Sequence, residues 1–572
     1  MRPSGCVRVE ALKIKRPARA IGVVRDSHRC LSGACASLLV LLGATSADAG
    51  TVPPALKPLL RSFESYERDL DRLDQVLPPA ETAPAATELP ALPPPAPSAL
   101  PLQPSDVSIE RRQRVDLQQA IDLAVQNDPV LQQEIAGVRE QQGWLRSVRG
   151  RFYPVFGVDL GGGYRQEAGS NWAWKGNAAV PGYGVDSPFY VPTGSSNRYQ
   201  TNVGAGFAQL RLDYELLSFE RSAALAEVKA DLEGARQRYG DRLRQLQLSV
   251  SEAYYRLQLA DQLQRIRQVV VDNDQVILDQ VQALKTAALV PRVDLLRAQA
   301  RLQQSLFRLE QAQAQQLSSQ RRLSNLVNTP FTVTLEAREA VQLQPPWPLD
   351  LEQTIVRGFA DNPQLQALQA ARVALLRQAD RRAAELLPRI GLFASAGYQA
   401  AQSTSPVIDL QGCCKGPAFI PGLNGQSGDW SAGVLLQWRV FDAGITAGAV
   451  EANRAAAERT LQSEAAERNA IRQRLESAYY DYRAALSQII AANASFRASR
   501  EAYRDSRARY EFGLADYTDL ADTIASLTTA MEQRAEAMTL ANLSYAQLLR
   551  ELLPVPRQPG APVSLPIQLP VN

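Results

Sequence analysis

The chain is built twice from one pattern. Asp116-Leu117 recurs as Asp350-Leu351, Asn127-Asp128-Pro129 as Asp361-Asn362-Pro363, Pro154 as Pro388 and Tyr164 as Tyr398, always 234 positions on (398 − 164). Further along, Ala253-Tyr254-Tyr255 recurs as Ala478-Tyr479-Tyr480 and Asp294-Leu295 as Asp519-Leu520, now 225 positions on (519 − 294). The offset shortens between Tyr164 and Ala253, so one loop differs in length and the rest keeps step. This period lies far above that of solenoid repeats. It predicts one body made of two similar halves rather than a string of unrelated domains.

Each copy has the same internal grammar. Asp116 is placed to cap a short helix with Leu117, Ala120, Ile121 and Ala124 on its apolar face. A turn at Asn127-Asp128-Pro129 starts a second helix, which Pro154 stops; copy two repeats this from Asp350 to Pro388. Strands follow. Ile390, Leu392, Ala394, Ala396 and Tyr398 alternate with Arg389, Gly391, Phe393, Ser395, Gly397 and Gln399, and copy one matches them with Phe156, Val158, Leu160, Gly162 and Tyr164. An apolar face backed by a small or polar face is the pattern of a half-exposed sheet or a water-filled barrel. Long Gly/Ser/Pro/aromatic loops, 166–198 and 402–428, lead to returning strands that end in Tyr214 and Trp438, residues suited to a bilayer interface.

After the strands each copy becomes uninterrupted helix. No proline occurs between Pro192 and Pro291 or between Pro421 and Pro554. Helices are predicted over about 219–287 and 443–512, each roughly 100 Å long at 1.5 Å per residue. They break at Ala288–Pro291 and Gly513–Asp516, and shorter helices return over 293–328 and 517–552.

The ends of the chain bound its chemistry. A basic stretch from Arg2 to Arg29, an apolar run from Leu31 to Ala44 and Ala47-Asp48-Ala49 read as a secretory signal peptide over 1–49. Residues 50–111 are expected to hold a short amphipathic helix (50–76) and an extended, unpacked Pro-rich linker (77–106). The two repeats occupy 112–330 and 331–553, and a Pro-rich tail occupies 554–572. The formal charge of +3 reflects the leader, whose eight Lys/Arg face Glu10, Asp26 and Asp48. Without it the balance is 3 − 5 = −2, which argues against a nucleic-acid partner. His28, the only histidine, and Cys6, Cys30 and Cys35 also lie in the leader. Past residue 49 the only thiols are Cys413 and Cys414, read as a loop disulfide. Histidine acid–base work, a Cys–His nucleophile and a zinc site of ordinary ligands are therefore excluded. No catalytic, cofactor or metal residue is assigned. Beyond 31–44 no apolar run is long enough for a spanning helix, so entry into a membrane falls to the strands. Four strands do not close a barrel, whose minimum is about eight, and open edges in lipid leave backbone groups unpaired. Several chains must combine.

The succession of helix, helix, strand, strand, long helix, turn and helix, twice over, resembles the TolC-like outer membrane efflux protein family across about residues 112–552. The resemblance is carried by the Asn/Asp-Pro turns, Pro154 and Pro388, Val440-Phe441-Asp442-Ala443-Gly444, and the run from Tyr510-Glu511-Phe512-Gly513-Leu514 to Asp516-Tyr517-Thr518-Asp519-Leu520. It implies an α+β membrane protein, a homotrimer whose twelve-stranded β-barrel in outer membrane lipid continues as a long periplasmic α-helical barrel. It further implies the exit duct of a tripartite efflux or type I secretion system, passing drugs or proteins from an inner-membrane ABC or RND pump through a periplasmic adaptor (membrane fusion) protein. The tips Ala288-Leu289 and Gly513-Leu514 become the adaptor-docking points. Asp519 and Asp522 become a carboxylate ring at the pore constriction, with Asp294 and Tyr510 in the hydrogen bonds that hold it closed. Two departures stand out. Ala288 replaces the tip glycine of copy one, and Ala515 stands where the family places an arginine, leaving Arg292 or Arg509 as candidate stand-ins. Asp519 also has a plainer reading, as the cap of the returning helix. A secreted coiled-coil scaffold without a channel is the rival from another class; it predicts extraction into aqueous buffer without detergent. An enzyme is disfavoured, because carboxylates at helical spacing are ordinarily a solvated face.

Overall fold

Side-chain caps decide where the helices begin. In the computed structural model, which describes residues 91–172, 196–403, 407–411, 418–419 and 423–554, Asp116 accepts from the Gln119 amide and starts α1 (Leu117–Asn127). Asp128 accepts from Leu131 at α2 (Pro129–Gly150), and proline at the first position costs no hydrogen bond there. Ser218 caps α3 (Phe219–Thr286), which α4 (Arg292–Val327) follows. The second copy repeats the set. Asp350 caps α5 (Leu351–Ala360), Asn362 caps α6 (Pro363–Ala383), and α7 (Ile445–Glu511) is followed by α8 (Tyr517–Leu552), capped by Asp516. At the start of α7, Gly444 takes a φ of +90° and the Asp442 carboxylate accepts from the Gly444 and Thr446 amides. The leader, the helix expected over 50–76, Cys413, Cys414 and the tail beyond Pro554 lie outside the described residues.

The long helices are lined by pairs of shorter ones. α2 and α4 both pack along α3, and α6 and α8 along α7, while α3 also contacts α6 and α8. The short helices meet near mid-length. Asn328, in the left-handed region at the end of α4, donates from Nδ2 to the Asn127 carbonyl at 3.0 Å. In copy two Asn362 Nδ2 donates to Glu551 Oε2 at 3.0 Å. This waist holds the largest apolar core, including Ile121, Leu131, Tyr239, Leu243, Tyr254 and Leu323. Arg244 anchors the end of α8 here, donating to the carbonyls of Leu553 and Glu551 and also to that of Asp361. Burial pulls its guanidinium down to about 10, with Glu551 opposing.

Two features of the waist depart from expectation. The Pro-rich linker is not unpacked throughout: Leu92 is buried in the main core, and its carbonyl accepts from Asn127 Nδ2 at 2.9 Å. A leucine beside prolines fills a core gap at little ordering cost, because proline has already restricted the chain. A short 3-10 turn at Pro104–Val107 adds further order. The second feature is a parallel two-stranded sheet, β1 (Arg111–Val115) on β4 (Val333–Ala337), which ties the start of one copy to the start of the other.

The remaining strands form one antiparallel sheet. Four long strands, β2 (Val155–Trp172), β3 (Ser196–Leu217), β5 (Arg389–Ser403) and β8 (Leu423–Gln437), lie in chain order. Short β6 (Val407–Gln411) pairs with the first residues of β3, and β7 (Ala418–Phe419) with β6. The strands run further into the two expected loops than the apolar alternation suggested. Above the apolar levels, Glu167, Gly169 and Asn171 still pair with Thr201, Tyr199 and Asn197. Backbone pairing needs no apolar side chain. The offset between copies also changes in two steps. It is 234 from β2 to β5 and 224 from β3 to β8, because Asp213 faces Val155 as Gln437 faces Arg389 (437 − 213). It reaches 225 only in the helices.

Candidate functional site

Register fixes what each face of the sheet presents. Phe156, Leu212, Ala394 and Ala432 form one rung, Leu160, Ala208, Tyr398 and Gly428 another, and side chains in one rung share a face. That face carries Phe156, Val158, Leu160, Leu210, Val434 and Leu436, all at least 60% exposed. From Ile390 to Tyr398 it covers nine residues, roughly 25 Å along the strand, about the length of a tilted membrane-spanning strand. Tyr164, Tyr398 and Trp430 edge it at one end, and Tyr153, Trp438 and Phe441 stand exposed at the other. No described helix is long and apolar enough to cross a membrane.

The opposite face is small and polar. It carries Gly157, Asp159, Gly163, Arg211, Asp213, Ser395 and Ser431, with Arg211 paired to Asp213 at 2.6 Å and the two serine hydroxyls 2.8 Å apart. Its phenylalanines lie against glycines on neighbouring strands. A Cβ on Gly161 would stand 2.4 Å from Phe207, and one on Gly433 3.0 Å from Phe393. The glycines let both rings lie flat on the sheet. The outer edges of β2 and β8 have no strand partner among the described residues. Edges this long in an apolar sheet demand cover.

At the far end of the helices the two tips have the same turn. The Leu289 amide donates to the Leu284 carbonyl at 2.9 Å, and the Leu514 amide to the Arg509 carbonyl at 2.8 Å. Each closes a helix through one left-handed residue: Ala288 at φ +58° in the first tip, Gly513 at φ +70° in the second. The alanine therefore keeps the turn at a backbone cost. Leu289 and Leu514 project as knobs, 72% and 79% exposed. Phe512, 81% exposed, stands beside Leu514. Sequence reasoning missed it, because an aromatic next to a buried stripe reads as core.

The four expected constriction residues divide into two pairs. Asp294, in the first turn of α4, lies 3.6 Å from Arg297, whose guanidinium also donates to Thr518 Oγ1 of α8 at 3.2 Å. Tyr510 is buried, and its hydroxyl has no hydrogen-bond partner among the described residues. Burial first, then the Asp294 charge, pushes that phenol up to about 12. Asp519 and Asp522 are exposed one turn apart on α8, with no hydrogen bond or ion pair from their carboxylates among the described residues. Asp516 caps α8 and accepts from the Asp519 amide at 3.0 Å, so Asp519 is not the cap. Of the candidate stand-ins for the missing arginine, Arg509 pairs with Asp505 at 2.9 Å. Near the tips, Arg297 is a guanidinium that crosses between hairpins. One turn on, Arg301 pairs with Asp274 and donates to the Ala521 carbonyl, each at 2.9 Å. Nothing in the spacing marked these arginines, since their partners on α8, Thr518 and Ala521, lie more than 200 residues away.

Comparison with known proteins follows the same outline. Residues 120–329 and 356–552 match the family model described as outer membrane efflux protein. No curated protein sequence matches the chain. Among solved structures, the outer-membrane channel OprN is 18% identical with a TM-score of 0.58, covering 83% of this chain and 98% of its own. The CmeC outer membrane channel of Campylobacter jejuni is 14% identical at 0.58, covering 76% and 85%. The outer membrane protein VceC of Vibrio cholerae is 16% identical at 0.57, covering 76% and 95%. At such identities the likeness bears on the fold alone.

Proposed function

This chain belongs to the outer membrane efflux protein family, and from that membership we propose that three copies close one barrel and act as the exit duct of a tripartite pump. The family is one of outer membrane channel proteins, and the chain is an outer membrane protein reaching into the periplasm. The observation that carries the finer reading is the set of four long strands, apolar on one face and polar on the other, whose outer edges on β2 and β8 have no strand partner among the described residues. Three such sheets supply twelve strands and pair every edge. The polar face then lines the lumen, and the helices continue the wall into the periplasm.

The partners of the reading are a periplasmic adaptor at the Leu289 and Leu514 tips and an inner-membrane ABC or RND pump behind it. Exposed leucines on rigid, hydrogen-bonded turns are suited to a helical partner, because little side-chain or backbone freedom is lost on docking. Asp519 and Asp522 line the entrance in this reading, where three-fold symmetry brings six carboxylates around one axis and favours multivalent cations. Small-molecule efflux and one-step protein secretion use the same duct. Deleting the gene and measuring both drug sensitivity and the secreted proteins separates them: hypersensitivity with an unchanged secretome supports drug efflux, and the converse supports secretion. A deletion strain changed in neither respect would refute the exit-duct role.

A further inference from the structure

We propose that a cleft at the waist, between the β1–β4 sheet and the α3–α4 hairpin, binds a short peptide through a carboxylate and an adjacent peptide group. Its volume is about 380 Å³, within the ~300–1,000 Å³ of small-molecule sites. None of its lining residues belongs to the apolar sheet or to the tips.

One wall supplies cations. Side chains two apart on a strand share a face, so Arg112 and Arg114 of β1 both stand over the cleft, opposite Thr334 and Glu336 of β4. Glu336 answers both: Arg112 Nη1 lies 3.5 Å from Oε1 and Arg114 Nε lies 3.4 Å from Oε2. One carboxylate thus serves two guanidinia, and most of their N–H groups are left over. Arg265 of α3 lines the same cleft and donates only to the neutral amide of Gln262, at 2.9 Å. Asp261, one turn before it, accepts from Gln316 of α4 at 2.8 Å. Arg338 stands exposed at the rim beside Glu339 and is taken by Asp116 at 3.6 Å. Inside the cleft three guanidinia therefore face two carboxylates. The donors in excess suit one carboxylate, in the paired N–H geometry that guanidinium offers it, while Asp261 and Glu336 repel a dianion such as a phosphate monoester.

The other wall supplies an uncommitted amide. Gln320 of α4 lines the cleft and is only 4% exposed, yet its Oε1 has no hydrogen-bond partner among the described residues. Buried polar groups are ordinarily paired, so this one marks a place for a ligand. Gln316, one helical turn before Gln320, already holds Asp261, and Gln320 has no such carboxylate of its own. A peptide group, with one N–H and one C=O, is the complement of a primary amide. Guanidinia that ask for a carboxylate and an amide that asks for a peptide group together describe the carboxyl end of a peptide. A simple carboxylate would leave Gln320 unmet, and a peptide without its charge would leave the arginines unmet.

Calorimetric titration of the purified, detergent-solubilised protein tests this, with N-acetyl-alanyl-alanine as the probe. Its C-terminal carboxamide, which lacks the charge, and acetate, which lacks the peptide group, should each bind at least about tenfold more weakly. Arg112→Gln with Arg114→Gln, changes confined to exposed side chains, should weaken the probe by at least about tenfold at unchanged thermal melting. Gln320→Leu should do the same while leaving acetate as weak as before. No heat from the probe up to about 10 mM would overturn the site. Equal binding of the carboxamide would overturn the role of the arginines, and equal binding of acetate that of Gln320. Full binding in both variants would place the probe elsewhere and overturn the cleft. If Gln320→Leu fails to fold, the arginine variant and the two analogues still decide.

Discussion

Exchanging the residues at the two helical tips should change their stability in opposite directions. Ala288 holds the left-handed conformation that Gly513 holds in the second tip. An L-residue there costs ~1–2 kcal/mol, while glycine loses ~0.5–1 kcal/mol more chain entropy on ordering. Ala288→Gly should therefore gain about 0.5–1 kcal/mol locally. Gly513→Ala should lose a similar amount, and no more, because a Cβ at Gly513 meets nothing within 4 Å. The reporter is hydrogen exchange of the amides that close the turns, Leu289 to Leu284 and Leu514 to Arg509. Protection of the Leu289 amide should rise about two- to fivefold in Ala288→Gly, and protection of the Leu514 amide should fall by a similar factor in Gly513→Ala. If Ala288→Gly lowers protection, or both variants shift the same way, the shared-turn account is wrong.

Other outcomes follow from the same geometry. Leu514→Glu should abolish export while leaving the trimer and its membrane insertion intact; normal export in that variant removes the docking role. Trivalent cations added from the periplasmic side should block single-channel current, and Asp519→Ala with Asp522→Ala should lose the block; unchanged block places the aspartates away from the entrance. The Tyr510 phenol is held up to about 12 in the folded chain but ionises near ~10 when unfolded. Its contribution to stability is thus full below pH ~10 and falls as the pH climbs toward 12. Tyr510→Phe should make alkaline unfolding shallower over that interval, and an unaltered profile would contradict the burial of its hydroxyl.

Much of this fold is written in local signals. Proline-free runs and capping residues place α3, α7 and α8 within two or three residues of their observed ends, since caps and prolines act on the backbone beside them. Alternation names the faces of β2 and β5 because a sheet in lipid needs one apolar side. What escaped notice depends on distant partners. β1 reads Arg-Arg-Gln-Arg-Val, with no alternation, and becomes a strand only because Val333–Ala337 lies beside it. Leu92 looks like linker until the core supplies a gap for it. Arg297 and Arg301 read as solvated helix charges, yet they reach Thr518 and Ala521 across the hairpins. Of the candidate site, the two tip turns were legible as breaks between helices, while the guanidinia that cross near them were not.

Closing open-edged sheets from three copies should build one continuous duct. Its most direct measurement is current through the purified, detergent-extracted protein after insertion into a planar bilayer, with the oligomer mass measured on the same preparation. A closed duct requires a mass of three copies and discrete conductance steps. A single-copy mass, or a silent bilayer into which the protein is verified to have inserted, would contradict it.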